Sequence, residues 1–375
     1  MADFARKPQL GFGLMRLPHV GGDMEAPIDI ELTKQMVDLF MDAGYTYYDS
    51  AYVYSGSEEA ARQALVERYP RESFVFATKM PAHAVGDFEQ MEKIFAEQLE
   101  RTGLEYFDYY LFHGIDPTNI ERFADKAVWD WMIAKKESGA VKHIGFSFHD
   151  HAAVLQSILD AHPEIEMVQI QCNYADWDNP VVEARRCYEI CREHGKLVVF
   201  MEPLRGGKLT NLPESVAQIL ADCRPDAPQA SWGLRFLSEL DGVLAILSGM
   251  SLPEHVTSNV EILSGAFGAE LDDAERSALA KAVDAINAIP HVRCTDCRYC
   301  VPGCPVGIRI PKIFDAMNGY LVYNDLGSAK FSYGFATRGR AKASECIKCG
   351  QCNAICTQHI DVMAELERVV EILED

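Results

Sequence analysis

Phe74-Val75-Phe76-Ala77-Thr78-Lys79 and, after an amphipathic interval, Phe107-Asp108-Tyr109-Tyr110-Leu111-Phe112-His113 set the rhythm of the chain up to about Gly265. Both runs are nearly continuous in apolar and aromatic residues, as strands covered on two faces must be. Short apolar runs alternating with longer amphipathic segments are the pattern of βα units on a parallel sheet. The same reading gives strands at Leu10 to Met15, Thr46 to Asp49, Lys142 to Ser147, Met167 to Gln171, Leu197 to Met201 and Val243 to Leu247. Eight such strands predict an α/β fold, a closed (β/α)8 TIM barrel.

The intervals read as helices. Leu32, Met36, Leu39, Phe40 and Ala43 fall on one helical face, and Gly44 supplies a left-handed stop. Val154, Leu155, Ile158 and Leu159 repeat the pattern behind Asp150, taken as an N-cap. A helix from Asp272 to Ala288 opens with Asp272-x-x-Glu275, a capping-box spacing, and stops before Pro290. The expected layout is a barrel over residues 1–265, a connecting helix over 266–290 and a small domain over 291–375. Gly11-x-Gly13 reads as a strand turn.

The small domain is announced by its cysteines. Cys294-x2-Cys297-x2-Cys300-x3-Cys304-Pro305 is followed by Cys346-x2-Cys349-x2-Cys352-x3-Cys356. Thiolates at this spacing wrap cubane iron-sulfur clusters, and in the two-cluster form the fourth cysteine of each run ligates the other cluster. Cys294, Cys297, Cys300 and Cys356 are thus expected to hold one [4Fe-4S] centre, and Cys346, Cys349, Cys352 and Cys304 the second. Zinc sites, which usually combine two close cysteines with a distant pair, fit the spacing less well. Ile313, Phe314, Met317, Leu321 and Val322 at helical spacing predict a helical rather than a β-type ferredoxin-like domain. Cys172, Cys187, Cys191 and Cys223 read as inert thiols.

The 375 residues are 48% hydrophobic and 24% charged, enough for two cored domains. No apolar segment approaches the roughly 18 residues of a membrane span, the N-terminus lacks a signal-peptide core, and cubane thiolates must stay reduced. These point to a cytoplasmic protein. A formal net charge of -21 argues against nucleic acid and against an anionic membrane as partners. Between His291 and Asp375 ten Lys/Arg balance ten Asp/Glu, so the acidic surplus falls before that point. Lys330, Arg338, Arg340, Lys342 and Lys348 gather between the cysteine runs with only Glu345 opposing them. They either compensate anionic clusters or dock an acidic, ferredoxin-like electron carrier.

Barrel chemistry belongs at the C-terminal strand ends. Asp49 closes the second strand with Tyr54 five residues on, Lys79 ends the third and His113 the fourth. This set suits proton delivery to a carbonyl oxygen that gains charge as hydride reaches carbon. An ammonium beside Tyr54 favours its phenolate, Asp49 keeps Lys79 charged, and His113 donates to the developing oxyanion. His149, Tyr174 and Trp177 follow strands five and six and either line a substrate pocket or pack beneath it.

The spacing Asp49-x4-Tyr54 with Lys79 and His113 resembles the catalytic tetrad of the aldo-keto reductases, and Leu10-Gly-Phe-Gly-Leu-Met-Arg-Leu17 looks like the opening of that family. The double cysteine run resembles its ferredoxin-fused branch. The resemblance implies reduction of a small aldehyde or ketone by NADP or NAD bound across the barrel mouth. It implies that Ser147 and Gln169 hold the carboxamide, that Asn259 contacts the adenine end, and that Met201, Leu204, Arg205, Gly249 and His255 belong to the belt over the phosphates. The chain departs from the pattern: Met201 stands where an aromatic usually stacks, Glu202 brings charge beside the pyrophosphate, Phe148 replaces an asparagine, and Gly249, Met250 and His255 replace cations. Arg205 and Lys208 offer replacement charge. Two other readings stand beside carbonyl reduction: clusters fed by a ferredoxin-like partner, with or without a flavin for which no motif exists, and a redox-sensing module with an inactive barrel.

Overall fold

The computed structural model describes residues 9–23, 26–268 and 270–374. Eight parallel strands close into a barrel in sequence order: β1 (Gln9–Gly13), β2 (Tyr47–Asp49), β3 (Val75–Pro81), β4 (Phe107–Ile115), β5 (Val141–Phe148), β6 (Met167–Gln171), β7 (Leu197–Met201) and β8 (Val243–Ser248). Closure comes from β1 pairing with β8, Gly11 opposite Leu247. The expected strands therefore all form, with ends shifted by a residue or two, as is common at element boundaries. Around them run α1 (Ile30–Asp42), α2 (Ser57–Ala61), α3 (Phe88–Thr102), α4 (Lys126–Glu137), α5 (Ala152–Ala161) and α6 (Ala184–Glu193). The series continues with α7 (Glu214–Cys223), α8 (Gln229–Ser238), α9 (Pro253–Leu263) and α10 (Asp273–Ala288).

Alternation along each strand divides the core in two. Tyr47, Ala77, Leu111, Met167, Val199 and Ala245 fill the barrel interior. Tyr48, Phe76, Phe112, Phe146, Val168, Phe200 and Ile246 point outward under the helices. Gly11 belongs to the strand rather than to a turn: a Cβ there would lie 2.6 Å from Leu247 Cδ2, so a side chain in the seam between β1 and β8 would have to displace Leu247.

Helix signals in the sequence hold with two corrections. Met36 and Phe40 are buried, and Gly44 takes φ +83, but Leu39 and Ala43 stay exposed at the edge of the stripe. Asp150 does not cap α5; its carboxylate accepts the N–H of His151, which occupies the cap position. The capping box is present, Asp272 accepting from Glu275 N at 2.8 Å and Glu275 accepting from Asp272 N at 2.9 Å.

The chain divides into two compact units, residues 1–206 with 230–271 and residues 207–229 with 272–375. The barrel unit thus ends close to where the composition changes, while the segment carrying α7 groups with the C-terminal part. In the second unit Arg224 meets buried Glu275 at 3.0 Å. Here α11 (Ile310–Tyr323), α12 (Leu326–Thr337), α13 (Gln351–Ile355) and α14 (Val362–Val369) surround a core of Ile313, Phe314, Met317, Ala329, Tyr333, Cys352 and Leu366. Among the described residues no helix is long and apolar enough to cross a membrane.

Candidate active site and cluster sites

Asp49, Lys79 and His113 stand on three adjacent strands because the parallel register brings their ends together: Asp49 pairs with Ala77, Lys79 with Leu111 and Pro81 with His113. Lys79 is buried, its Nζ donating to Asp49 Oδ1 at 2.6 Å and to the Ser50 carbonyl at 2.5 Å. A buried ammonium survives only with such partners. Burial pulls the Lys79 pKa down, but Asp49 and Tyr54 outweigh it and the net shift is upward, so the ammonium persists. Tyr54 lies in the turn after β2, with Lys79 Nζ 5.1 Å from its ring centre and the His113 ring edge-on at 5.5 Å.

The electrostatics correct one expectation. Burial raises the Tyr54 phenol above its ordinary 10.0 and exceeds the downward pull of Lys79. The phenol therefore holds its proton at neutral pH with an ammonium waiting beside the oxygen. His113 is pushed well below the usual imidazole range, by burial first and then by Lys79 and His149, so it is neutral and can donate only from its single N–H. Proton transfer by these groups is accordingly expected to show no limb in the ordinary histidine range and to fail only at alkaline pH, as Tyr54 loses its proton. A drop centred near the normal histidine range, read from kcat/KM across buffers, would contradict this assignment.

A network not anticipated from the sequence holds this constellation. Buried Glu58, four residues beyond Tyr54, accepts from Thr78 Oγ1 and Gln98 Nε2, each at 2.7 Å, with Arg101 at 3.6 Å. Gln98 also bonds the Lys79 carbonyl, and Ser50 and Ser57 hydroxyls meet at 2.8 Å across the loop that bears Tyr54. The available signal was a charged residue within Ser57-Glu58-Glu59-Ala60-Ala61, at helical phase with buried Ala61. Glu58→Ala leaves buried donors unpaired and is expected to cost about 2–4 kcal/mol in denaturant melts, with Glu58→Gln less harmful.

Ser147 and Gln169 are register partners, both buried. Ser147 Oγ accepts Gly114 N–H at 2.7 Å, which leaves its own hydrogen to donate. Gln169 lies close enough to the Asp49 carboxylate to help hold its charge, while its Oε1 has no hydrogen-bond partner among the described residues. A donor and an orphaned acceptor side by side match a carboxamide. Met201 closes β7 opposite Gln171, half-buried at the end of the interior core.

The cations of the expected belt have protein neighbours of their own. Arg205, at φ +49, faces fully buried Asp176 at 3.3 Å. Asp176 is also held by Asn173, which reaches the Glu202 carbonyl, so this network fixes the loop after β7. Lys208 lies in the second unit, its Nζ 2.6 Å from where a Gly319 Cβ would stand. The cation that does approach this loop is Arg16, donating to the Gly206 carbonyl at 2.9 Å and covering Gly249. It was visible only as a basic residue just past the first strand. Ser251 bonds the Arg16 carbonyl and His255 Nδ1, Asn259 donates to Ser248 Oγ at 2.9 Å, and Leu204 packs on the core. Trp177 stacks edge-on with Phe236 and Tyr174 is buried, so both belong to packing. Cys172, Cys187 and Cys191 are buried, and burial lifts the Cys187 thiol to about 12, as befits inert residues.

In the second unit the two cysteine runs fold alike. Left-handed backbone occurs at Asp296, Arg298 and Gly307 in the first and at the equivalent Lys348, Gly350 and His359 in the second. Cys304 and Cys356 each accept, through their carbonyls, the N–H three residues on at 3.1 Å, and α11 and α14 begin at matching offsets. The repeat includes non-glycine residues at positive φ, a conformation with a cost that a sequence tolerates for a purpose. One cavity is lined by Cys294, Cys297, Cys300 and Cys356, with Ile310, Phe314 and Ile355 as its apolar wall. Three thiols of one run meet the fourth of the other, the donor set of a crossed cubane. Around the second set, Cys346 and Cys349 lie within electrostatic reach of Cys352, and Ile308 N–H points at Cys304 Sγ at 3.3 Å.

Comparison with known proteins agrees with both halves. The aldo/keto reductase family model matches residues 9–284, and a 4Fe-4S dicluster domain matches residues 293–360. An aldo-keto reductase of Mycolicibacterium paratuberculosis is 26% identical over 264 residues, covering 69% of this chain and 82% of its own length. Another from Mycolicibacterium vanbaalenii is 28% identical over 262 residues, covering 68% and 82%. In fold, the chain resembles the Klebsiella pneumoniae aldo-keto reductase solved in complex with NADPH, at a TM-score of 0.59 and 20% identity over 73% of this chain and 90% of that one. The protein is an oxidoreductase that belongs to the aldo/keto reductase family and carries a 4Fe-4S dicluster domain after its barrel.

Proposed function

We propose that the barrel reduces an aldehyde or ketone carbonyl with a nicotinamide cofactor, Tyr54 acting as the general acid. The observation that carries this reading is the buried Asp49–Lys79 ion pair at 2.6 Å, set under Tyr54 with a neutral His113 edge-on to the phenol. A nicotinamide, when bound, supplies the hydride. Ser147 would donate to its carboxamide oxygen and Gln169 Oε1 would accept from its amide. His113 N–H holds the carbonyl oxygen and polarises the carbon. Tyr54 O–H delivers the proton to that oxygen, and Lys79 steadies the phenolate that remains, with Asp49 keeping the ammonium in place.

Binding of NADPH by the Klebsiella relative supports that cofactor, and Arg16 beside Gly249 offers charge near the expected adenosine phosphate. Cys294, Cys297, Cys300 and Cys356 suit one [4Fe-4S] cluster by their shared cavity, and Cys304, Cys346, Cys349 and Cys352 suit a second by the backbone repeat. The test is anaerobic turnover of a panel of aldehydes and ketones with NADPH and NADH. Gln169→Leu is expected to raise the KM for the cofactor about tenfold while leaving kcat within about threefold. An unchanged KM would detach Gln169 from the cofactor.

A further inference from the structure

The inner face of α12, through Ala329, Tyr333 and Ala336, packs into the same core as Cys352 and Cys346. Its outer face is uncovered. Phe331 and Phe335 are 50% and 47% exposed, one turn apart on the same side of the helix, and their phenyl rings meet edge-on at 4.9 Å. Arg338 sits over Phe335 at 5.4 Å. From Leu326 to Ser344 the chain holds Lys330, Arg338, Arg340 and Lys342 and no carboxylate. Asp325, at the helix start, is spent on capping Ser328 N–H at 2.9 Å. Lys330, Arg338 and Arg340 are exposed, and none enters an ion pair among the described residues.

A cation-rimmed aromatic strip is unusual on a chain of net charge -21 whose acidic surplus lies wholly before His291. An acidic protein is repelled by that surplus and attracted here, which selects both partner and orientation. An anionic membrane or nucleic acid presents an extended charged surface that meets the same repulsion without a small footprint to escape it. The helix is tied to the second cysteine run through Tyr333, whose hydroxyl accepts the Ala343 N–H at 2.9 Å, and Ala343 in turn accepts the N–H of Cys346 at 3.1 Å.

We propose that the outward face of α12 and the basic segment after it form the docking surface for a small acidic one-electron carrier that feeds the cluster held by Cys346, Cys349, Cys352 and Cys304. The proposal rests on the reading that these cysteines hold a cluster. At each docking the reduced carrier gives up one electron and leaves oxidised, the dicluster domain gains that electron, and no bond or proton is exchanged. Phe331 and Phe335 supply the desolvated centre of the contact and the four cations its rim, the division found in transient interfaces.

The experiment uses the anaerobic holoprotein and a small acidic two-cubane ferredoxin as probe, with a basic one-electron carrier of similar potential as control. Two readouts are taken: the Kd of the oxidised probe by calorimetry, and the rate at which the reduced probe bleaches the iron-sulfur absorbance. K330E/R338E/R340E and F331S/F335S are each expected to weaken binding about tenfold or more and to slow bleaching in proportion, with raised salt acting like the charge reversal. Bleaching by dithionite stays unchanged in both variants. Equal binding by parent and variants, or a basic carrier performing as well as the acidic one, overturns the proposal. So does sedimentation of the parent with phosphatidylserine vesicles, or a dimer that F331S/F335S dissolves, since membrane or a second copy then owns the face. If dithionite itself bleaches nothing, the cluster reading fails as well, and the two failures are told apart.

Discussion

Tyr54→Phe is expected to lower kcat for carbonyl reduction about a thousandfold while the protein stays folded and keeps its iron. The size follows from what the hydroxyl does. General acid catalysis by a positioned group contributes about 10²–10⁴-fold, and nothing else beside the carbonyl can take its place. Lys79 is committed to Asp49 and the Ser50 carbonyl, and His113 has one proton, which it uses for orientation. Removing the oxygen leaves the ring and its edge contact with His113 intact, so substrate and cofactor KM values are expected to move little. Lys79→Met should be as inactive as Tyr54→Phe but less stable, because it leaves Asp49 buried without its cation. If Tyr54→Phe kept near-parental turnover, the acid would have to be sought elsewhere.

Replacing Cys349 by Ser is expected to cut bound iron from about eight to about four atoms per chain and to destabilise the second unit, yet to leave NADPH-dependent turnover per folded molecule within about twofold. Cys356→Ser, although it lies in the second cysteine run, is expected to empty the site of the first, because its thiol shares a cavity with Cys294, Cys297 and Cys300. The two variants should therefore lose different clusters, distinguishable by the electron paramagnetic resonance of the one that remains. If Cys349→Ser were as inactive as Tyr54→Phe, carbonyl reduction would depend on electrons from the clusters.

The barrel was legible because parallel strands covered on both faces leave an unmistakable apolar rhythm, and a strand such as Met167–Gln171 could be bounded to the residue. The tetrad was legible because barrel geometry sends strand ends to one mouth. Glu58 and Gln98 were not, since a buried carboxylate on a short helix looks like a solvated one until its partners Thr78 and Gln98 are known. The surroundings of the loop cations are illegible for a related reason: that Arg205 faces Asp176, that Lys208 lies beside Gly319 of α11, and that Arg16 reaches the loop from the turn after β1 all depend on the fold. The sign of the Tyr54 shift was missed because the pull of a neighbouring ammonium can be inferred from a motif, while the larger effect of burial needs the fold.

The most direct test of the central claim is a single anaerobic turnover with NADPH carrying deuterium at the transferable position of the nicotinamide, followed by mass analysis of the alcohol. Direct hydride delivery to a carbonyl protonated by Tyr54 predicts one deuterium on the carbinol carbon, retained in Cys349→Ser and absent from Tyr54→Phe for want of product. An alcohol formed without the label, with the deuterium lost to solvent, would contradict the account and make the barrel a site supplied with electrons by another route.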